Sequence, residues 1–433
     1  MGCEFKGLNG APCQLRAAIT HRTSAGERCA LHLPIQDLPK DTELRSALGL
    51  EGAKIAQGLK EKGAPIADLE GLVIFDQRQI QFLCQIAQEL GLLVRFLRCT
   101  FLVPAHFPAN THKLIQVRWC SFHESVTFKA GSNFIDIEGS TFEDKFTVTG
   151  RVADYGLSLS RSVFKGQVDC SNIEWQRTFE VWKCEFHQDV DFSAPDNNTH
   201  YLPKVVRFEE CMCKLWVDFS NCRFTDSVYF FGTTFYRAPM FHGAIWPSRI
   251  HLPLDGFKDI SGDAAPAYRV LRHAMHTVQN RNLEGFFHVL EQRSLRRAPD
   301  TYSRTSLISW FYDVSARYGT SIGRPFMWIG IVTLASFVFY ASVSSDAICA
   351  IKGLVGECTL SPSTLWNAAK FTLTQTFRPF DVLAPHQMLR YDGETAFAQP
   401  DWYLYVAGVM QSTITLALLA VLFVSLRWRF KRD

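Results

Sequence analysis

Phenylalanine recurs in this 433-residue chain on a nearly fixed period. Phe101, Phe122, Phe142, Phe164, Phe186, Phe208 and Phe230 follow one another at intervals of 21, 20, 22, 22, 22 and 22 residues. Two positions before each lies a small or medium side chain: Cys99, Cys120, Ser140, Ser162, Cys184, Val206 and Val228. The register also repeats at half the period, through Phe208, Phe219, Phe230 and Phe241. An α-helical period does not generate such spacing, whereas repeats of 20–50 residues are the signature of a solenoid. One coil cannot bury a large ring alone, so stacked coils build a continuous apolar column. The alternative is an aromatic-rich sandwich.

The units within this stretch, CTFLV, CSFHE, STFED, SVFKG, CEFHQ and CRFTD, resemble pentapeptide repeats, as does ADLEG at 67–71. The resemblance covers about 97–245, with a first coil from about 64. It implies a right-handed quadrilateral β-helix whose coils have four five-residue sides. Spacings of 21 and 22 require one or two six-residue sides. Soluble, acidic members of that family mimic DNA. This chain, at net charge +3, is not acidic, and no nucleic-acid partner is expected. Stacked cysteines such as Cys99 and Cys120 read as small core residues.

A mean hydropathy of −0.01 conceals two uncharged runs, Pro325–Ser345 and Trp402–Leu426, of 21 and 25 residues. About 20 helical residues cross a bilayer core, and the alternative is two buried helices of a large soluble core. Neither run has a polar face, and aromatics near their ends (Phe326, Trp328, Tyr340, Trp402, Tyr403, Tyr405) match an interfacial belt. Arginines crowd 290–324 and the C-terminus ends Arg427, Arg429, Lys431, Arg432, whereas 346–401 holds four basic and six acidic residues. Both termini are therefore expected in the cytoplasm of a cell whose inner membrane the chain crosses, with 346–401 outside. Residues 1–30 lack the apolar core of a signal peptide. Cys349 and Cys358, the two cysteines of the outer segment, are disulfide candidates.

Between the runs, 362–381 (PSTLWNAAKFTLTQTFRPFD) is too short and polar to span. It reads as a short helix, a polar cluster of Thr372, Thr374, Gln375 and Thr376, and a break at Arg378-Pro379. Non-helical backbone at membrane depth is allowed where it lines water, which makes Thr372, Thr374, Gln375, Thr376 and Arg378 pore-lining candidates. A simple outer loop with a surface helix is the alternative. Gln411, Ser412, Thr413 and Thr415 of the second run would line a pore or bind helices together. Upstream, Pro266 opens one helical pattern and Asn280-Arg281-Asn282 turns into another, an αα-hairpin suited to covering a solenoid end.

The stretch 265–433 resembles, more weakly, the two-helix potassium-channel-like domain that follows pentapeptide repeats in some bacterial proteins. Tyr268-Arg269, Asn282, Phe287, Glu291 and Arg293 match the hairpin that precedes its first span. The glycine-rich filter of such domains is replaced here by TLTQTFRPF, so potassium selectivity does not carry over.

The first forty residues contain Cys3, Cys13, Cys29 and His32, in C-x9-C-x15-C-x2-H spacing, with His21 in reserve. Four N/S ligands would close a structural zinc site. Scattered thiols are the alternative. No phosphate loop, nucleophile elbow or HExxH motif occurs, and no enzymatic activity is expected.

The expected organisation is a multidomain chain: a zinc-binding-like module over 1–40, a helical connector with a candidate first coil over 41–96, a β-helix over 97–260, a helical hairpin and linker over 265–324, and a two-span domain over 325–433. Two functions fit. One is a homo-oligomeric membrane pore, most simply a tetramer, gated by a cytoplasmic sensor that meets a protein or ligand. A trigger-opened pore would depolarise the membrane, as a bacterial defence effector does. The other is a membrane-anchored scaffold for protein docking.

Overall fold

The computed structural model describes residues 66–298 with short breaks, the longest at 85–92, and residues 304–343, 362–377 and 402–430. It also describes the strand pairs Thr20–Thr23 with Gly26–Cys29 and Arg390–Tyr391 with Glu394–Thr395. The chain divides into two compact units, residues 1–284 and 285–433.

The first unit is a parallel β-solenoid. Among the described residues its strands form three long parallel sheets of nine, eight and six strands. The nine-stranded sheet runs from Ile66–Glu70 to Arg249–His251, so ADLEG lies in the first coil. The chain between Ile74 and Leu93 is helical at several described positions, with Ile80, Leu83 and Cys84 buried.

The rings do stack, but not in one ladder. In the eight-stranded sheet Phe101, Phe122, Phe142, Phe164 and Phe186 lie in register, with successive ring centroids 4.2, 4.7, 4.7 and 5.0 Å apart. The next residue of that column is Cys213, not Phe208. Phe208 belongs to the nine-stranded sheet, where it pairs with Val181 and stacks on Phe230 at 5.3 Å. The cause is one long coil. Val190 pairs with Val217, 27 residues on, whereas the preceding coil sets Val168 against Val190 at 22. The extra five residues, one side's worth, enter after Asp191. They leave the sequence period intact while moving the ring to another face. Phe208 there packs against the rings of Phe179, Phe192 and Phe219. Phe192, Phe219 and Phe241 stack on the six-stranded face at 5.2 and 5.0 Å, which accounts for the half-period repeat.

The cysteines and serines before the rings have a hydrogen-bonding role, whereas Val206 and Val228 pair in the nine-stranded sheet. At this corner Arg98, Trp119, Gly139, Arg161, Lys183, Glu210 and Gly232 all take left-handed backbone angles, with φ between 50° and 65°. Each non-glycine there costs about 1–2 kcal/mol. The following residue turns inward and serves the coil before it. The Cys99 N–H donates to Cys120 Sγ (3.3 Å), the Cys120 N–H to Ser140 Oγ (3.1 Å), and the Ser140 N–H to Ser162 Oγ (3.1 Å). The hydroxyls of Ser140 and Ser162 donate onward to the carbonyls of Glu138 and Ser160. Thr233 continues the column, donating to the Phe208 carbonyl at 2.7 Å. Only Cys, Ser and Thr are both small enough for the corner and able to accept the buried N–H. Gly139 is a glycine for a second reason: a Cβ there would collide with the Trp119 ring.

Helix α1 (Ala265–Thr277), with Pro266 in its first turn, ends the column. Phe257 stacks on Phe235, and the buried Tyr268 ring meets Phe257 edge-on while its hydroxyl donates to the Asp259 carbonyl at 2.7 Å. The Asp259 carboxylate accepts from the Ala238 N–H and from the Ser261 N–H and hydroxyl. A short turn leads to α2 (Arg281–Arg297), whose start is capped by Asn280 Oδ1, which accepts from the Leu283 N–H at 3.2 Å.

The second unit contains α3 (Arg304–Ala316), α4 (Gly323–Val343), α5 (Pro362–Phe377) and α6 (Trp402–Phe430). Helix α4 packs on α5 and α6, α5 packs on α6, and α3 touches both α4 and α6. Helices α4 and α6 are each long and apolar enough to cross a bilayer.

Two outcomes are expected for the solenoid. Phe142→Ala should cost about 3–5 kcal/mol in denaturant unfolding, because rings above and below prevent collapse of the cavity. Burial pushes the thiols of Cys84 and Cys211 up to about 12. An ordinary thiol ionises near about 8.5, so folded thiols hold protons that unfolded ones release, and this contribution to stability is lost as pH rises from there toward 12. Iodoacetamide at pH 8 should spare these two thiols in the folded protein and label them in denaturant.

Candidate functional site

Several polar residues of α5 and α6 face inward. On α5, Thr372, Gln375 and Thr376 recur at helical spacing and are 1%, 2% and 3% exposed. Trp366, Leu373 and Phe377, on the other side of the same helix, are 61%, 49% and 78% exposed. In water this distribution would be inverted. In hydrocarbon it is the expected one, since polar groups there must find partners within the protein. Helix α6, expected to have no polar face, repeats it, with Gln411, Ser412 and Thr415 buried on one side and Met410 and Phe423 exposed. Only 11% of the apolar stretch of α4 and 33% of that of α6 are buried, unlike the core helices of a soluble domain.

The inward groups bond between helices in two sets. The Ser412 hydroxyl donates to Gln375 Oε1 at 2.6 Å. Gln411 Nε2 donates to the Thr372 carbonyl and to Thr376 Oγ1, both at 3.1 Å. The Thr376 hydroxyl returns to the Thr372 carbonyl at 2.9 Å and lies 3.2 Å from the Thr333 hydroxyl of α4. Gln411 Oε1, Thr415 Oγ1 and the Tyr340 hydroxyl are buried without hydrogen-bond partners. Tyr340, expected at the interface by its place near a span end, is instead fully buried with its ring edge-on to Phe371 at 4.8 Å. A groove of about 340 Å³ opens between α4 and α6 along Ser336, Tyr340, Met410 and Gln411.

Three of the pore-lining candidates, Thr372, Gln375 and Thr376, thus meet α6 within a single chain. Helix α5 continues through all of them, so the polar cluster lies on a helix and not in a turn. Thr374 is half-buried and donates to the Lys370 carbonyl at 2.8 Å. Arg378, the disulfide candidates Cys349 and Cys358, and the ligand candidates Cys3, Cys13 and His32 lie outside the described residues. Cys29 ends the second strand of the hairpin, paired with Thr20. Gln411 and Ser412 were marked by polarity within an apolar run. Thr333 and Tyr340 carried no such mark, since a lone Thr or Tyr in a span is unremarkable in sequence.

No protein-family model matches the chain, and no curated protein or solved structure matches it either.

The Gln375–Ser412 contact is testable by a double-mutant cycle in detergent unfolding. Gln375→Leu and Ser412→Ala should couple by about 0.6 kcal/mol and by no more than about 1.7 kcal/mol, the average and the upper limit for side-chain hydrogen bonds between membrane helices. Thr413→Val should not couple to Gln375→Leu, because the Thr413 hydroxyl is exposed and bonds its own helix.

Proposed function

We propose that the chain is one subunit of an oligomeric membrane pore, gated through its solenoid. The observation that carries the reading is α5: a helix of 16 residues with a polar face inward and an apolar face outward, set between two span-length helices. At 1.5 Å per residue it is about 24 Å long, too short to cross the hydrocarbon core and suited to entering and leaving on one side. Two spans cannot enclose a channel, so the pore requires a ring of subunits, most simply four. Both termini lie in the cytoplasm and 346–401 outside, where Cys349 and Cys358 form a disulfide. The solenoid coils right-handed with four sides, a reading supported by its three long sheets and the short pairs Val152–Ala153 with Glu174–Trp175 and His200–Tyr201 with Cys222–Arg223. It is of the pentapeptide-repeat kind and receives the triggering protein or ligand. Cys3, Cys13, Cys29 and His32 hold a structural zinc.

A second reading, a membrane-anchored scaffold, is favoured by one observation: Gln375 and Ser412 bond each other within one chain, as in a simple anchor. Bilayer recording separates the two. Purified full-length protein should conduct, and Arg378→Gln should alter the ratio of anion to cation permeability. A monomeric particle that never conducts would leave the anchor reading.

A further inference from the structure

Beside the start of α4, positive charge gathers that the neighbouring carboxylate does not neutralise. From α2, Arg293 donates through Nε and Nη2 to Asp313, at 3.0 and 2.9 Å, and Arg296 reaches Asp313 at 3.4 Å and the Tyr318 hydroxyl at 3.3 Å. Arg317 follows, in a left-handed turn formed with Tyr318 and Gly319. Burial holds its guanidinium below the ordinary arginine range, and Arg324 and Arg293 add repulsion that Asp313 opposes. Its buried Nε has no hydrogen-bond partner. Glu291, another acid of α2, is itself buried.

The place of this cluster is fixed by packing. Trp328 Nε1 of α4 donates to the Val314 carbonyl of α3 at 3.3 Å. A side chain at Gly319 would come within 3.9 Å of Ser425 Oγ, near the C-terminal end of α6. The arginines therefore lie where one span begins and the other ends. On α3 the neighbouring Leu307, Ile308, Trp310 and Phe311 are exposed, in the i, i+1, i+3, i+4 pattern of one helix face. An uncovered apolar face with a tryptophan, beside arginines and at a span end, matches a helix lying in a headgroup layer.

We propose that α3 seats its Leu307–Phe311 face at the acyl boundary of an anionic leaflet, with Arg317 and Arg324 binding the phosphate of an anionic phospholipid. The inference rests on reading α4 and α6 as membrane spans. Guanidinium suits phosphate because its planar fork offers paired donors. The apolar face selects a lipid over a soluble phosphate, since only a lipid engages both features at once.

The test is native mass spectrometry of the full-length detergent-solubilised protein titrated with phosphatidylglycerol and phosphatidylcholine. Phosphatidylglycerol should be retained preferentially. The double variant Arg317→Gln/Arg324→Gln should weaken its binding about twenty-five-fold, taking about fivefold per arginine at an anionic surface. Arg297→Gln, elsewhere on α2, should leave it unchanged. Equal retention of both lipids, an unaltered preference in the double variant, or equal protection by inorganic phosphate would overturn the proposal. Failure of the span reading has a different signature: protein that stays monodisperse in buffer without detergent.

Discussion

Polar groups removed from water must find partners inside the protein, and each unit of this chain is organised around that requirement. In the solenoid the difficulty lies at the corner, where a left-handed residue points successive N–H groups inward. In the second unit it lies along α5 and α6, whose polar faces are turned from the surroundings. The same residue types answer both. Cys120, Ser140, Ser162 and Thr233 accept backbone N–H groups at the corner. Thr372, Gln375, Thr376, Gln411 and Ser412 bond one another between helices.

The apolar packing follows from that arrangement. Once the corner is fixed, the residue two positions later points inward at a constant height, and Phe fills it with rings 4.2–5.0 Å apart from Phe101 to Phe186. Where the column drops to Cys213, Phe208 takes its place on another face, among Phe179, Phe192 and Phe219. At the last coil the interior closes on Tyr268, which is apolar toward Phe257 and polar toward Asp259. A solenoid end needs such cover, because exposed edges template further pairing.

The solenoid was largely legible in the sequence because a ring every 20–22 residues matches the length of one stacked coil and not the 3.6-residue turn of a helix. What spacing could not convey was the face. A five-residue insertion after Asp191 equals one side of a coil, so Phe208 keeps the period of Phe186 while changing sheets. The small residues were legible as small, but their bonding to the coil before was not, since it depends on the left-handed turn at Arg98, Trp119 and their equivalents. In the second unit, length and lack of charge marked both helices that are long and apolar enough to cross a bilayer. The polarity of Gln411 and Ser412 was visible, yet their partners on α5 were not, because about 35 residues of intervening chain separate them. Tyr340 looked like a belt residue by position and proved to be a buried one.

Whether α5 lies within the bilayer decides the account of the second unit. Spin labels at Trp366→Cys, Leu373→Cys and Phe377→Cys, in full-length protein reconstituted into nanodiscs, measure this through collision with oxygen and with a water-soluble nickel chelate. Oxygen-rich, nickel-poor environments at all three positions are the predicted result. Nickel accessibility equal to that of an exposed solenoid residue such as Phe231 would contradict it.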